Sequence, residues 1–205
     1  MAIEALVESG ASRLVILPAG NPYQRGRSPF ASAQHRAAML RLAFDNAAGI
    51  PGNVEIAIDS RELERLGPTY TIDTLREIRQ SSGQDVALIW LIGGDAFARL
   101  DSWHDWKTLF ELANFAVALR QDELHPRDAM SEALRLALDG RSTEVHGLGN
   151  LPFGRYALLA AIVPPISSTN IRARLKHRQT IDDLAPRAVC DYIEQHKLYE
   201  PEERK

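Results

Sequence analysis

Two rhythms of apolar residues divide the chain, one of helical spacing and one of short unbroken runs at strand length. Ile3, Leu6 and Val7 fall on one face of an opening helix with Glu4 and Glu8 on the other, and Gly10 stands where a left-handed C-cap is expected. Residues 13–18 (RLVILP) form a continuous apolar run, as in a strand covered on both sheet faces. A loop rich in turn formers follows over 19–27. Ser32 is placed to cap a helix to about residue 47, with Met39, Leu40, Ala43 and Phe44 at core spacing. Residues 53–58 alternate as a second strand, Gly67 and Pro68 make a turn, and Thr71 or Thr69 caps a helix to about residue 82. The clearest buried strand is 86–92 (VALIWLI), which runs directly into Gly93, Gly94 and Asp95. Beyond it the pattern predicts a helix over 103–112, a strand over 115–119 and a helix from Pro126 to 138. A strand over 156–163 is stopped by Pro164 and Pro165, and helices follow from Ser167 and over 186–196. Residues 140–155 are glycine-rich and carry no clear period.

Strands alternating with helices predict an α/β fold, a mostly parallel sheet with helices on both faces. Such sheets bind ligands beyond the carboxyl ends of their strands, which singles out the loops 18–27, 93–103 and 164–172. A length of 205 residues suits one domain, or one with an appendage. Composition removes several classes. With 24 Lys and Arg against 27 Asp and Glu, a net charge of -3, there is no broad basic face for a nucleic-acid duplex. No stretch of about 18 apolar residues predicts a membrane span, and the first ten residues lack the features of a signal peptide. The single Cys190 allows neither an internal disulfide nor a cysteine zinc cluster, in keeping with a cytoplasmic setting. It reads as a small core filler, and His35 and Arg36 as structural or solvated residues.

The segment 164–174 (PPISSTNIRAR) is the most informative for chemistry. Three consecutive hydroxyls, Ser167, Ser168 and Thr169, open a helix whose unpaired amides face an anion. Arg172, in the first turn, can add a planar fork of donors to a phosphate. A capped helix with a solvated arginine uses the same residues, although capping needs only one hydroxyl. Gly93 and Gly94 permit close backbone approach, and Asp95 can accept from a ribose or a base; a turn with an aspartate cap is the plain alternative. Trp103 and Trp106 lie one helical turn apart beside that loop, Trp103 as the candidate for stacking on a flat ring and Trp106 as core. Residues 67–71 (GPTYT) offer Thr71 and free amides at another helix start, suited to a carboxylate or to simple capping. Neither GxxxxGK[ST] nor GxGxxG occurs, and the six histidines form no HExxH pair.

Taken in order, these segments resemble the bacterial nicotinate-nucleotide adenylyltransferase family, whose fold is a Rossmann-like nucleotidyltransferase α/β domain. Residues 18–22 (PAGNP) look like the loop after its second strand, and 68–75 (PTYTIDTL) like its S/T-Y-T helix start. Residues 92–95 (IGGD) with Trp103 are similar to its GxD…W segment, and 166–172 (ISSTNIR) to its ISSTxIR signature. The ending 189–193 (VCDYI), followed by Leu198 and Tyr199, is also typical.

The resemblance implies adenylyl transfer from ATP to nicotinate mononucleotide in NAD biosynthesis, with Mg2+ carried in on the nucleotide and no covalent intermediate. Carried over residue by residue, it implies that Ser167, Ser168, Thr169 and Arg172 hold ATP phosphates, Arg172 acting in catalysis, while Gly93 and Asp95 contact the adenosine part. Trp103 would stack on the pyridine ring, and amides around Thr71 and His104 would bind its carboxylate. Asn21 and Arg25 occupy the loop where the family often has a phosphate-contacting basic residue, here with its Pro-Pro-His pattern changed to Pro22-Tyr-Gln-Arg25. Family members also have a glycine-rich first strand and an HxGH motif, and no histidine precedes His35. The expectation is therefore one nucleotidyltransferase domain over 1–205, N-terminally incomplete. A sister enzyme acting on another phosphorylated acceptor, or a catalytically impaired nucleotide-binding relative, are the alternatives.

Overall fold

Strand β4 (Asn114–Ala118) is buried along its whole length, and its sequence shows why. Side chains alternate between faces along a strand, so Phe115 and Val117 share one face while Ala116 and Ala118 share the other. Phe115 and Val117 join a cluster of large side chains that includes Ile72, Leu75, Phe97, Leu109 and Leu134. Ala116 and Ala118 join a second cluster with Ala5, Leu148, Ala157 and Leu159. Full burial of one side chain such as Phe115 stabilises by about 1.5–3 kcal/mol. In the computed structural model, which describes residues 2–21, 31–45, 50–120, 125–160 and 166–199, β4 lies between β3 (Ile89–Gly93) and β5 (Tyr156–Leu158). Both neighbours run parallel to it, with Ile89 opposite Asn114 and Phe115 opposite Tyr156. The mixed α/β class with parallel strands is the one expected.

The alanine face receives α1 (Ala2–Ser9), which ends at Gly10 with φ of +66°. Its buried residues are Ala5, Leu6 and Ser9, and Val7, expected on the apolar face, is 55% exposed. The stripe 5, 6, 9 puts small residues one turn apart toward a surface of alanines, and Val7 is thereby turned outward. Glu8 accepts a hydrogen bond from the Ala160 amide at 3.0 Å, tying the helix to the chain beyond β5.

Two buried polar side chains close backbone that has no ladder partner. On α4 (Thr71–Ser82), Arg79 follows Ile72 and Leu75 along the buried stripe and is only 2% exposed. Its guanidinium donates to the carbonyls of Gly83 (3.0 Å), Val86 (2.7 Å) and Pro152 (3.0 Å), and to that of Leu112. Burial lowers its pKa. Asn114, fully buried, donates to Leu148 O at 2.8 Å and Leu151 O at 2.7 Å, and its carbonyl accepts from the Arg155 amide at 2.8 Å.

Several boundaries differ from expectation. The cap position of α4 is Tyr70, with no side-chain cap bond, so neither Thr69 nor Thr71 caps it. The predicted helix over 103–112 is a 3-10 turn (Leu100–Ser102) and a single α-turn, α6 (Trp106–Leu109). Asp105, in the left-handed region at φ +50°, separates them. The helix expected from Pro126 divides into a 3-10 turn (Pro126–Ala129) and α7 (Glu132–Ala137), because Ser131 starts the latter by accepting from the Leu134 amide. The unassigned stretch holds a 3-10 turn, Val145–Asn150. One-turn helices α3 (Arg61–Glu64) and α5 (Gly94–Phe97), too short to show a period, were not predicted. Residues 46, 47 and 161–165 lie outside the described residues.

A second, two-stranded sheet pairs β1 (Arg13–Ile16) with β2 (Glu55–Ile58). By internal packing the chain divides into two compact units, one of residues 1–14, 50–55 and 69–164, the other of 15–49, 56–68 and 165–205. The second unit contains α2 (Ala33–Phe44), α8 (Ser168–Lys176) and α9 (Arg187–Gln195) around Ile181, Val189 and Ile193. Met39, Leu42 and Ala43 of α2 pack there, whereas Leu40 and Phe44, expected alongside, do not join that cluster. Cys190 packs against the same core, as expected of a filler.

Candidate active site

In the first unit, β3 ends at Gly93 and α5 begins at once with Gly94 and Asp95. A Cβ at Gly93 would stand 3.0 Å from Asp95 Oδ1, so glycine here leaves room for that carboxylate. Asp95 is exposed and pairs with Arg99 at 3.7 Å, one turn along. An exposed pair of that length holds little energy, and the carboxylate stays open to donors from solvent or a ligand.

Thr71 begins α4, half-buried, with Tyr70 before it. The ring of exposed His104 lies against Tyr70, centroids 4.8 Å apart. Arg76, on the second turn of α4, pairs with Asp105 at 2.6 Å and so fixes the residue that follows His104. The structure thus brings Thr71 and His104 to one place. Trp103 and Trp106 are both half-buried and both pack against the large cluster, so burial does not set them apart. Tyr70 was missed in the sequence, where a tyrosine between two threonines reads as part of a cap.

In the second unit, Ser167 is the N-cap of α8 and its hydroxyl accepts from the Asn170 amide at 3.1 Å. Ser168 and Thr169 are exposed on the first turn, and Arg172 donates to Thr169 Oγ1 at 3.2 Å. No residue of α8 is fully buried. A helix end of this kind, with free amides, hydroxyls and a guanidinium, binds anionic oxygen. Nearby, burial raises the pKa of the Tyr199 hydroxyl, and the charges of Arg172 and Arg36 act to lower it.

Asn21 is exposed at the end of the described part of the first loop, and Arg25 lies outside the described residues. The preceding residues are held from two sides. Arg36 of α2 donates to the carbonyls of Ala19, Gly20 and Ala31, and the buried Glu62 of α3 accepts from the Gly20 amide at 3.4 Å. Arg36, read from the sequence as structural or solvated, is a structural residue here, whereas Glu62 did not stand out, because its partner is a backbone amide. His35, beside Arg36, bonds the Tyr192 hydroxyl at 3.0 Å, a structural contact as expected. Among the described residues no three His, Cys, Asp or Glu side chains converge on a metal position, and no helix is long and apolar enough to cross a membrane.

The family described as Cytidylyltransferase-like matches residues 1–174. The chain is 38% identical over 185 residues to a probable nicotinate-nucleotide adenylyltransferase of Chromobacterium violaceum, covering 90% of this chain and 82% of the relative. It is 43% identical over 189 residues to a protein of the same name from Laribacter hongkongensis, covering 91% and 80%. Among solved structures, the Plasmodium falciparum nicotinic acid mononucleotide adenylyltransferase complexed with NaAD matches with a TM-score of 0.64 at 17% identity, covering 96% of this chain and 90% of that one. At that identity the likeness is one of fold.

Proposed function

Since the chain belongs to the nicotinate-nucleotide adenylyltransferase family, we propose that it transfers the adenylyl group of ATP to nicotinate mononucleotide, giving deamido-NAD and pyrophosphate for NAD biosynthesis in the cytoplasm. The observation that carries this reading is likeness across nine-tenths of the chain to relatives of that name.

In the reaction a phosphate oxygen of the mononucleotide attacks the α-phosphorus of ATP, and the bond from that phosphorus to the bridging β-oxygen breaks. No proton has to be removed from an ionised phosphate. The protein's work is therefore to align the two nucleotides and to offset the charge that builds on the oxygens. Ser168, Thr169 and the free amides at the start of α8 would hold ATP phosphates with Arg172, while the Ser167 hydroxyl keeps its bond to Asn170 and contributes by shaping that end. Arg172, steadied by Thr169, is the group assigned to charge on the transferring phosphate. Gly93 and Asp95 would receive the adenosine part. Trp103 would stack on the pyridine ring, and the α4 start at Thr71 with His104 would take the nicotinate carboxylate. Asn21 and Arg25 would serve the mononucleotide. Mg2+ would arrive with ATP and be held mainly by phosphate and water.

The test is an assay of the native protein with ATP and Mg2+ against nicotinate mononucleotide, its amide, and phosphopantetheine, reading pyrophosphate and the nucleotide product. Deamido-NAD with the acid is expected. Turnover only with another acceptor would move the chain to a sister activity, and calorimetric ATP binding without any product would make it a silent binder. In the same assay Arg172→Ala should raise the KM for ATP about tenfold or more, the loss of one charged hydrogen-bonding partner.

A further inference from the structure

Both backbone polar groups of Gly20 are held. Its amide donates to Glu62 Oε2 at 3.4 Å, and its carbonyl accepts from Arg36 Nη2 at 3.5 Å. Arg36 Nη1 also donates to the carbonyl of Ala19, and Nε to that of Ala31 at 3.3 Å. One guanidinium thus joins two points of the chain eleven residues or more apart in sequence, on either side of the loop that contains Asn21. Glu62 is buried, on a one-turn helix just after β2, and Arg36 is half-buried on the first turns of α2. Placing an acid and a base in such positions costs desolvation, which the fold recovers only through fixed bonds.

Beyond Arg36 the arrangement continues toward α8. The Tyr199 ring packs in the cluster that contains Met39 of α2 and Ile171 of α8, the immediate neighbour of Arg172. Its backbone is in the left-handed region at φ +66°, a conformation a tyrosine adopts only when its surroundings impose it. The charges of both Arg36 and Arg172 act on its hydroxyl.

We propose that Arg36 and Glu62 are positioning residues that hold Ala19 and Gly20 in the conformation presenting Asn21 to the acceptor mononucleotide. The inference rests on the adenylyl-transfer reading for the identity of the acceptor, and on the hydrogen bonds alone for the brace. A lysine in place of Arg36 keeps the charge but cannot span three carbonyls, and a glutamine in place of Glu62 keeps the acceptor without the charge.

The experiment uses Arg36→Lys, Arg36→Met, Glu62→Ala and Glu62→Gln in the full chain. Two readouts are taken: exchange of the Gly20 amide proton by NMR, and the separate KM values for nicotinate mononucleotide and ATP. In Glu62→Ala the Gly20 amide should exchange about tenfold faster, and in Glu62→Gln it should return toward the parent rate. Arg36→Met and Arg36→Lys should both raise the KM for the mononucleotide about tenfold, with the KM for ATP within about twofold. Unchanged Gly20 exchange in Glu62→Ala overturns the brace. Equal rises in both KM values, or a loss confined to kcat, overturn the positioning role. If the parent protein turns over no mononucleotide while Gly20 exchange responds as stated, the proposed function fails and the brace stands; the role assigned to Asn21 then falls with that function.

Discussion

A single arginine does the work of missing secondary structure in the first unit. Arg79 donates to carbonyls from the turn after α4, the approach to β3, the turn before β4 and the chain before β5, the last of which (Pro152) also accepts from the Leu88 amide at 3.2 Å. Arg79→Met would leave several buried carbonyls unpaired at about 1–3 kcal/mol each, so a loss of at least ~3 kcal/mol is expected. Urea unfolding measures it, and Arg79→Lys should fall between the two, since an ammonium reaches fewer carbonyls at once. An unaltered midpoint in Arg79→Met would show that water satisfies those groups. The anomaly was legible: 72, 75 and 79 lie on one helical stripe, and a charge at the third position breaks its pattern. Its meaning was not, because carbonyl partners leave no mark in an amino-acid sequence. The same reason hid Glu62 and the carbonyl partners of Arg36, whereas Ser167 and Arg172 were singled out because consecutive hydroxyls before an arginine are a side-chain signal.

At the scale of elements, capping was predictable where the local sequence is free to decide and failed where a tertiary contact decides. Ser32 and Ser167 both accept from the amide three residues on, as their positions predicted. At the start of α4 the cap position went to Tyr70, whose ring meets His104, and the flanking threonines lost it. Ser32→Ala and Ser167→Ala should each cost about 1 kcal/mol, a fall of roughly 2–4 °C in the thermal midpoint for a chain of this size. Only Ser167→Ala should also raise the KM for ATP, because its helix end is the one assigned to phosphate. Matching KM values in the two variants would remove the α8 end from the site.

Across the whole molecule, stability should fall on the alkaline side. Cys190 is raised in pKa by burial first and then by the charge of Asp182, and Tyr199 by burial. An acid whose folded pKa lies above its unfolded one stabilises the fold fully below the unfolded value, and that contribution is lost as pH rises through the interval. With unfolded values near 8.5 for Cys and 10 for Tyr, the loss should begin above about pH 8.5. Urea midpoints at pH 7.5 and pH 10 would measure it, and a midpoint that holds or rises at the higher pH would contradict it. The parallel α/β class was readable at this scale because apolar runs of strand length alternate with helical stripes. The division into two units was not, since each is assembled from three separated stretches of chain and no linker marks a boundary.

The fully buried Asn114 sets a limit of another kind. Its amide nitrogen faces two carbonyls and its oxygen faces an amide, so the two ends of one nearly symmetrical group are not interchangeable. Aspartate has the same outline, yet it would set a second oxygen against those carbonyls and add a charge. The asparagine and aspartate codons differ by one purine transition, so a single-base change turns the two amide donors into an acceptor oxygen at the start of the central strand. A chain that tolerates wide divergence among its relatives should therefore keep this position closed to the smallest mutational step available to it.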